Sequence, residues 1–263
     1  MTWKLVRTGL YSSTLLLNAL CSHYSFAGNM GNTNVNENGW FLGLGGGWLW
    51  PSVNKSTTVP NGSYVLSISN KDFYTINSPG STGESSTYGG YRFALNNPTF
   101  PYFNLALRYQ YLSNFNVNGL IEQYSLPRFN NYNYRLNLSS NIFTVQSTLD
   151  FYQYGPFSSY FSTGLGMGSS RLSGYKEQAV AGVIPRISPA YQNNTANNFT
   201  FNLGAGIDYQ INPQVWVSLG YEYTNLGTIN SNNGTGANWT NEFLSLGTLT
   251  TNAIILGVYY QLS

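Results

Sequence analysis

The stretch Phe199-Thr200-Phe201-Asn202-Leu203-Gly204-Ala205-Gly206-Ile207-Asp208-Tyr209-Gln210-Ile211 decides the fold, because it alternates without a break. Phe199, Phe201, Leu203, Ala205, Ile207, Tyr209 and Ile211 share one parity; Thr200, Asn202, Gly204, Gly206, Asp208 and Gln210 share the other. Successive side chains of a strand point to opposite faces, so this segment has one apolar wall and one small or polar wall. After Asn212-Pro213 the alternation restarts through Val215, Val217, Leu219, Tyr221 and Tyr223. Six other segments behave alike, which predicts strands at 39–50, 86–95, 101–112, 141–152, 157–170, 199–211, 214–224 and 250–262. Crossing the hydrocarbon of a bilayer takes a strand of ~9–11 residues, and these have that length.

The joins alternate in length. Asn96-Asn97-Pro98-Thr99-Phe100, Gln153-Tyr154-Gly155-Pro156 and Asn212-Pro213 are tight, built from residues that turn at low conformational cost. Residues 51–85, 113–140, 171–198 and 225–249 make four long polar connections. Short turns at one end and long loops at the other predict an all-β fold, an eight-stranded antiparallel up-and-down transmembrane barrel with periplasmic turns and extracellular loops. Tyr64–Ser69 and Phe73–Ile76 could add two strands around Asn70-Lys71, but they are too short to cross, so a hairpin rising from the first loop is expected.

Only 8% of the 263 residues are charged, against roughly 25% in ordinary soluble domains, while 16% are aromatic. Lys4 and Arg7, the apolar run Leu10–Leu20, and Ser25-Phe26-Ala27 read as a secretory signal over 1–27, cleaved near Ala27. A short periplasmic segment, 28–38, would then lead into the barrel at 39–263. Of eleven basic residues two go with the signal, leaving nine against nine acidic, together with loss of the single Cys and single His. A neutral chain without a basic tract is not a nucleic-acid binder. Without His or Cys, the usual catalytic nucleophile–base pairs and zinc sites are missing, so no enzyme, metal or cofactor is expected.

Asn38-Gly39-Trp40-Phe41-Leu42-Gly43-Leu44-Gly45-Gly46-Gly47-Trp48 resembles the first strand of small outer-membrane barrels, the outer-membrane protein A membrane domain and the opacity-type surface proteins among them. Leu256-Gly257-Val258-Tyr259-Tyr260-Gln261-Leu262 is similar to their last strand. The resemblance implies residence in the outer membrane, contact with lipid and lipopolysaccharide, and handling by the barrel assembly machinery, with the chain a monomer. The chain departs from the family in ending on Leu262-Ser263 rather than an aromatic, and in carrying no peptidoglycan-binding domain after the barrel.

Parity also predicts facing. Trp40, Leu42, Leu44, Trp48, Phe103, Leu105, Leu107, Tyr109, Ile254, Leu256, Val258 and Tyr260 should meet lipid. The opposite wall holds the charges Arg92, Arg108, Asp150, Asp208 and Glu222, the first, third and fourth on a lower tier, Arg108 and Glu222 on strands that face each other. Buried charges must pair, so this network is a plug, or a gate across a narrow pore. Small residues on that wall, such as Gly204 and Gly206, should make room for Trp216, Tyr152 and Tyr259. In the loops, Arg128, Phe129, Tyr132, Tyr134, Arg135 and Trp239 are candidates for recognising a host or cell-surface ligand. The expected function is a structural or recognition barrel, with a small-solute pore as the alternative.

Overall fold

Eight long strands pair in a closed antiparallel ring in the computed structural model, which describes residues 38–61, 70–236, 238–239 and 241–262. In chain order the elements are β1 (Gly39–Ser52), β2 (Ser56–Pro60), β3 (Lys71–Thr75), β4 (Thr82–Ala94), β5 (Tyr102–Glu122), β6 (Asn130–Tyr154), β7 (Phe157–Ala179), β8 (Asn194–Asn212), β9 (Val215–Asn230) and β10 (Ser245–Gln261). The ring runs β1-β4-β5-β6-β7-β8-β9-β10 and closes where Leu42 opposes Tyr260 and Trp48 opposes Ile254. Closure leaves the ring no unpaired edge. The signal-peptide reading of 1–27, the segment to residue 37 and the Tyr64–Ser69 strand lie outside the described residues.

The tight turns owe their shape to asparagine. The Asn97 side-chain carbonyl accepts from the amides of Thr99 (2.8 Å) and Phe100 (3.2 Å), and Asn212 does the same for Gln214 (2.9 Å) and Val215 (2.8 Å). At the third turn Gly155 takes a positive φ of 57°, which glycine adopts without a steric penalty.

The predicted facing holds along the membrane-crossing parts. Trp40, Leu42, Leu107, Phe143, Leu203 and Leu256 point outward, and Leu107 stays 70% exposed. A continuous apolar belt on a closed ring is the surface of a barrel immersed in lipid. Tyr152 departs from expectation: a bulge between Phe151 and Gln153, with Tyr152 at φ 51°, turns its ring out of the lumen. A bulge breaks period two, so parity fails past it.

The strands also run further than expected. β5, β6 and β7 have 21, 25 and 23 residues, about twice what a bilayer needs. Their distal halves therefore stand beyond the lipid, and the connections shrink to 123–129, 180–193 and 231–244. The expected hairpin exists with a different first arm: β2 pairs with β3, Val59 opposite Asp72, and β3 then docks on β5 through Phe73–Glu122 and Tyr74–Ile121. Gly119 permits that docking, because a Cβ there would lie 1.8 Å from the Thr75 carbonyl oxygen.

Candidate functional site

The lumen is layered. Nearest the short turns, the Arg92 guanidinium lies 4.0 Å from the ring centres of both Tyr102 and Trp216 and bonds Asp150 at 2.7 Å. Trp216 stacks in parallel on Tyr259, whose hydroxyl donates to Asp208 at 2.8 Å. Arg92 and Asp150 are buried, so their ion pair forms away from water, with cation–π contacts replacing lost hydration.

Above this floor Arg108 reaches across from β5 to Glu222 on β9 and donates a hydrogen bond to it. The same guanidinium lies 3.6 Å from Glu84, and a weaker bond reaches Gln146 at 3.4 Å. Gln110 donates to the other Glu84 oxygen at 2.6 Å. Sequence reading misses Glu84, because the alternation predicts a strand only from Ser86, although Glu84 shares the inward parity of Ser86 and Arg92. Glycines give the inner rings their space: a Cβ on Gly43 would sit 2.1 Å from the Tyr88 ring.

Beyond Arg108 and Gln110 the lumen turns largely apolar around a buried Ser140–Ser170 hydroxyl pair. Leu49, Leu112, Leu138, Ile142, Leu172 and Leu249 fill it, none more than 1% exposed. This core continues up the strand extensions to Tyr74, Tyr134 and Tyr191, and Trp239 closes over it. Tyr132, Tyr134 and Trp239 are therefore inward-facing core residues and are corrected as candidates for surface recognition. The cause is local: β6 begins at Asn130, so 132 and 134 take the buried parity of a strand rather than the freedom of a loop. Arg128 and Arg135 are exposed, and Phe129 is half-buried.

One ion cluster, which sequence reading did not find, ties the long-loop end together. Arg186, between β7 and β8, donates through Nε to Glu177 at 2.7 Å and through Nη1 to Asp72 of the hairpin at 2.5 Å. Asp72 also accepts from Asn61 (2.8 Å) and from the Tyr124 amide (3.0 Å) of the β5–β6 connection. The guanidinium lies 4.8 Å from the Tyr132 ring centre and 5.3 Å from that of Trp239 in the β9–β10 connection. All four long connections thus meet at Arg186 or its partners. Burial opposes its charge, but the bonds and charges of Glu177 and Asp72 outweigh burial and hold the guanidinium above the usual arginine range. Alongside, burial pushes the Tyr74 hydroxyl up to about 12, and Tyr134 and Tyr191 higher still. The clasp is a structural cap, with its hydrogen bonds directed inward.

Charge is sorted along the barrel. The lumen holds two guanidiniums, Arg92 and Arg108, against four carboxylates, Glu84, Asp150, Asp208 and Glu222. The long-loop end holds seven described cations against four carboxylates, and six of the seven, Lys55, Lys71, Arg128, Arg135, Arg171 and Lys176, are exposed. Arg135 and Lys176 stand directly opposite each other across β6 and β7, and Arg171 opposes Ser139 nearer the lipid belt. Among the described residues no group of three or more His, Cys, Asp or Glu side chains is placed to hold a metal ion.

No protein-family model matches the chain, and no curated protein matches it in sequence. Solved structures similar to it are outer-membrane and surface proteins. Neisserial surface protein A is 12% identical, with 86% of this chain and 99% of that one covered and a TM-score of 0.42. Ail, the attachment invasion locus protein of Yersinia pestis, was solved with the heparin analogue sucrose octasulfate; it is 12% identical over 85% of this chain and 99% of its own, at 0.37. The outer membrane protein OprG of Pseudomonas aeruginosa is 12% identical over 85% and 96%, at 0.43. The barrel assignment stands on the closed ring of pairings and the apolar belt.

Proposed function

We propose that this protein is an outer-membrane surface barrel whose extracellular end recognises an anionic ligand and whose lumen does not conduct. The observation that carries this reading is the cross-strand pair Arg135–Lys176. Like charges directly opposite on a sheet destabilise it, yet here both are exposed, with Arg171 on the same outer wall. An incoming anion converts that repulsion into attraction. The cap supports the reading, because the clasp at Arg186 holds the connections still, and a preordered surface loses less entropy on binding.

The pore alternative is disfavoured by a particular feature, the apolar filling above Arg108. Ions crossing it would have to shed water without replacement ligands. Catalysis is disfavoured because both lumen guanidiniums are tied in ion pairs, Arg92 to Asp150 and Arg108 to Glu222, and the Arg186 cluster faces inward.

Barrel reconstituted in nanodiscs and titrated with dextran sulfate against neutral dextran tests the reading. Binding should be selective for the sulfated polymer and weaken steeply with salt. Replacing Arg135, Lys176 and Arg171 together by Ala should weaken it at least tenfold without changing the folded fraction. Equal binding of neutral dextran, or an unchanged affinity in the triple variant, would overturn it.

A further inference from the structure

Among the described residues, four carboxylates and two guanidiniums leave the lumen two negative charges in excess, one on each tier. Arg108 is shared between Glu84 and Glu222, and Arg92 is committed to Asp150. Asp208 accepts from Tyr259, but among the described residues no Lys or Arg lies within ion-pair distance of it. Excess charge held out of water by a lipid-immersed wall is costly unless something of opposite sign joins it.

A cavity of about 100 Å³ lies between the two tiers. That is room for about three water-sized groups, taking ~30 Å³ for each. Asp208 borders it from below and Glu222 from above, with Asn104, Ser86, Gln146 and Tyr160 among its walls. Two of these wall groups are unpartnered, the Asn104 side-chain oxygen and the Ser86 hydroxyl, and both residues are more than nine-tenths buried. Asn104 and Ser86 thus line this space beside Asp208, a carboxylate without an ion-pair partner among the described residues, and side-chain oxygens with a carboxylate form the donor set of a hard cation.

We propose that this cavity is a binding site for a hydrated inorganic cation. The cation is held toward Asp208, away from the Arg108 guanidinium, with Asn104 and Ser86 supplying neutral oxygens directly or through water. It joins the floor tier to the Arg108 tier and completes the charge balance of the membrane-embedded lumen. Because the protein lacks three convergent carboxylates among its described residues, the cation keeps part of its water shell.

Reversible urea unfolding of the full barrel in neutral lipid vesicles at pH 8 tests this, with KCl or MgCl2 compared against tetraethylammonium chloride at equal ionic strength. A ligand bound only by the folded state makes the unfolding constant fall in proportion to its concentration once above Kd. The expected result is therefore a tenfold fall per tenfold rise in potassium or magnesium, and none with tetraethylammonium, which is too bulky for the cavity. Asp208→Asn should abolish the dependence and be the more stable protein in tetraethylammonium. Asn104→Ala, which leaves every charge in place, should move the dependence to about tenfold higher cation. A flat response in the native protein, an equal response to tetraethylammonium, or an unchanged response in both variants would overturn the site. So would a barrel that gains its full stability in tetraethylammonium on acidification while ignoring potassium and magnesium at pH 8, because protons would then balance the charge.

Discussion

Arg108 is the residue on which the lumen turns, since of the two lumen guanidiniums only it lies within ion-pair distance of two carboxylates. Arg108→Leu strands both Glu84 and Glu222, and removing one partner of a buried pair costs ~3–5 kcal/mol. Glu222→Leu should cost less, because Arg108 keeps Glu84 at 3.6 Å. The double substitution should be milder than the sum, which urea unfolding of the three variants would show. Strictly additive losses would mean that the two heads do not interact. Period-two parity found Arg92, Arg108, Asp150, Asp208 and Glu222 because all lie within unbroken alternation. It missed Glu84 by two residues of strand, and it misplaced Tyr152 because a bulge resets parity and leaves no mark in composition.

At the scale of the element, the strand extensions separate two kinds of outward position. Leu203→Arg puts a cation in the apolar belt and should cost ~2–4 kcal/mol and lower the folded yield. Asn137→Arg, exposed on β6 above the belt, should change stability by under about 0.5 kcal/mol. Equal effects would mean that the belt does not face lipid.

The cap behaves as a separate element. Arg186→Leu leaves Asp72 and Glu177 buried without a cation, so limited proteolysis should cut within 180–193 while the barrel itself stays folded. Cap stability should also decline in alkali. The Tyr74 hydroxyl is raised from 10.0 to about 12 by burial, so the folded state keeps a proton that the unfolded chain gives up. Its contribution is intact below pH 10 and fades between about 10 and 12. Near-ultraviolet absorbance of tyrosinate followed against pH would check it; ionisation at the ordinary value would contradict it. None of this was legible in the chain. Asp72, Glu177 and Arg186 sit in segments without periodicity, and their meeting depends on the hairpin and the β7–β8 connection folding inward over one mouth. The distal strand halves were misread as loops because Asn and Ser are abundant there, whereas cross-strand pairing and the apolar core beneath outweigh low β propensity.

At the scale of the whole molecule, a chain with balanced charge from residue 28 onward is strongly polarised once folded, with its described charges net negative in the lumen and net positive at the long-loop cap. That polarity, with the apolar belt between, fixes how the barrel must sit if the cap is to meet ligands outside the cell. Cysteine labelling of living cells measures this directly. Lys55→Cys, exposed at the long-loop end, should react with a membrane-impermeant maleimide on intact cells. Asn97→Cys, exposed in a short turn, should react only after the outer membrane is permeabilised. Labelling of Asn97→Cys on intact cells with Lys55→Cys protected would contradict the account.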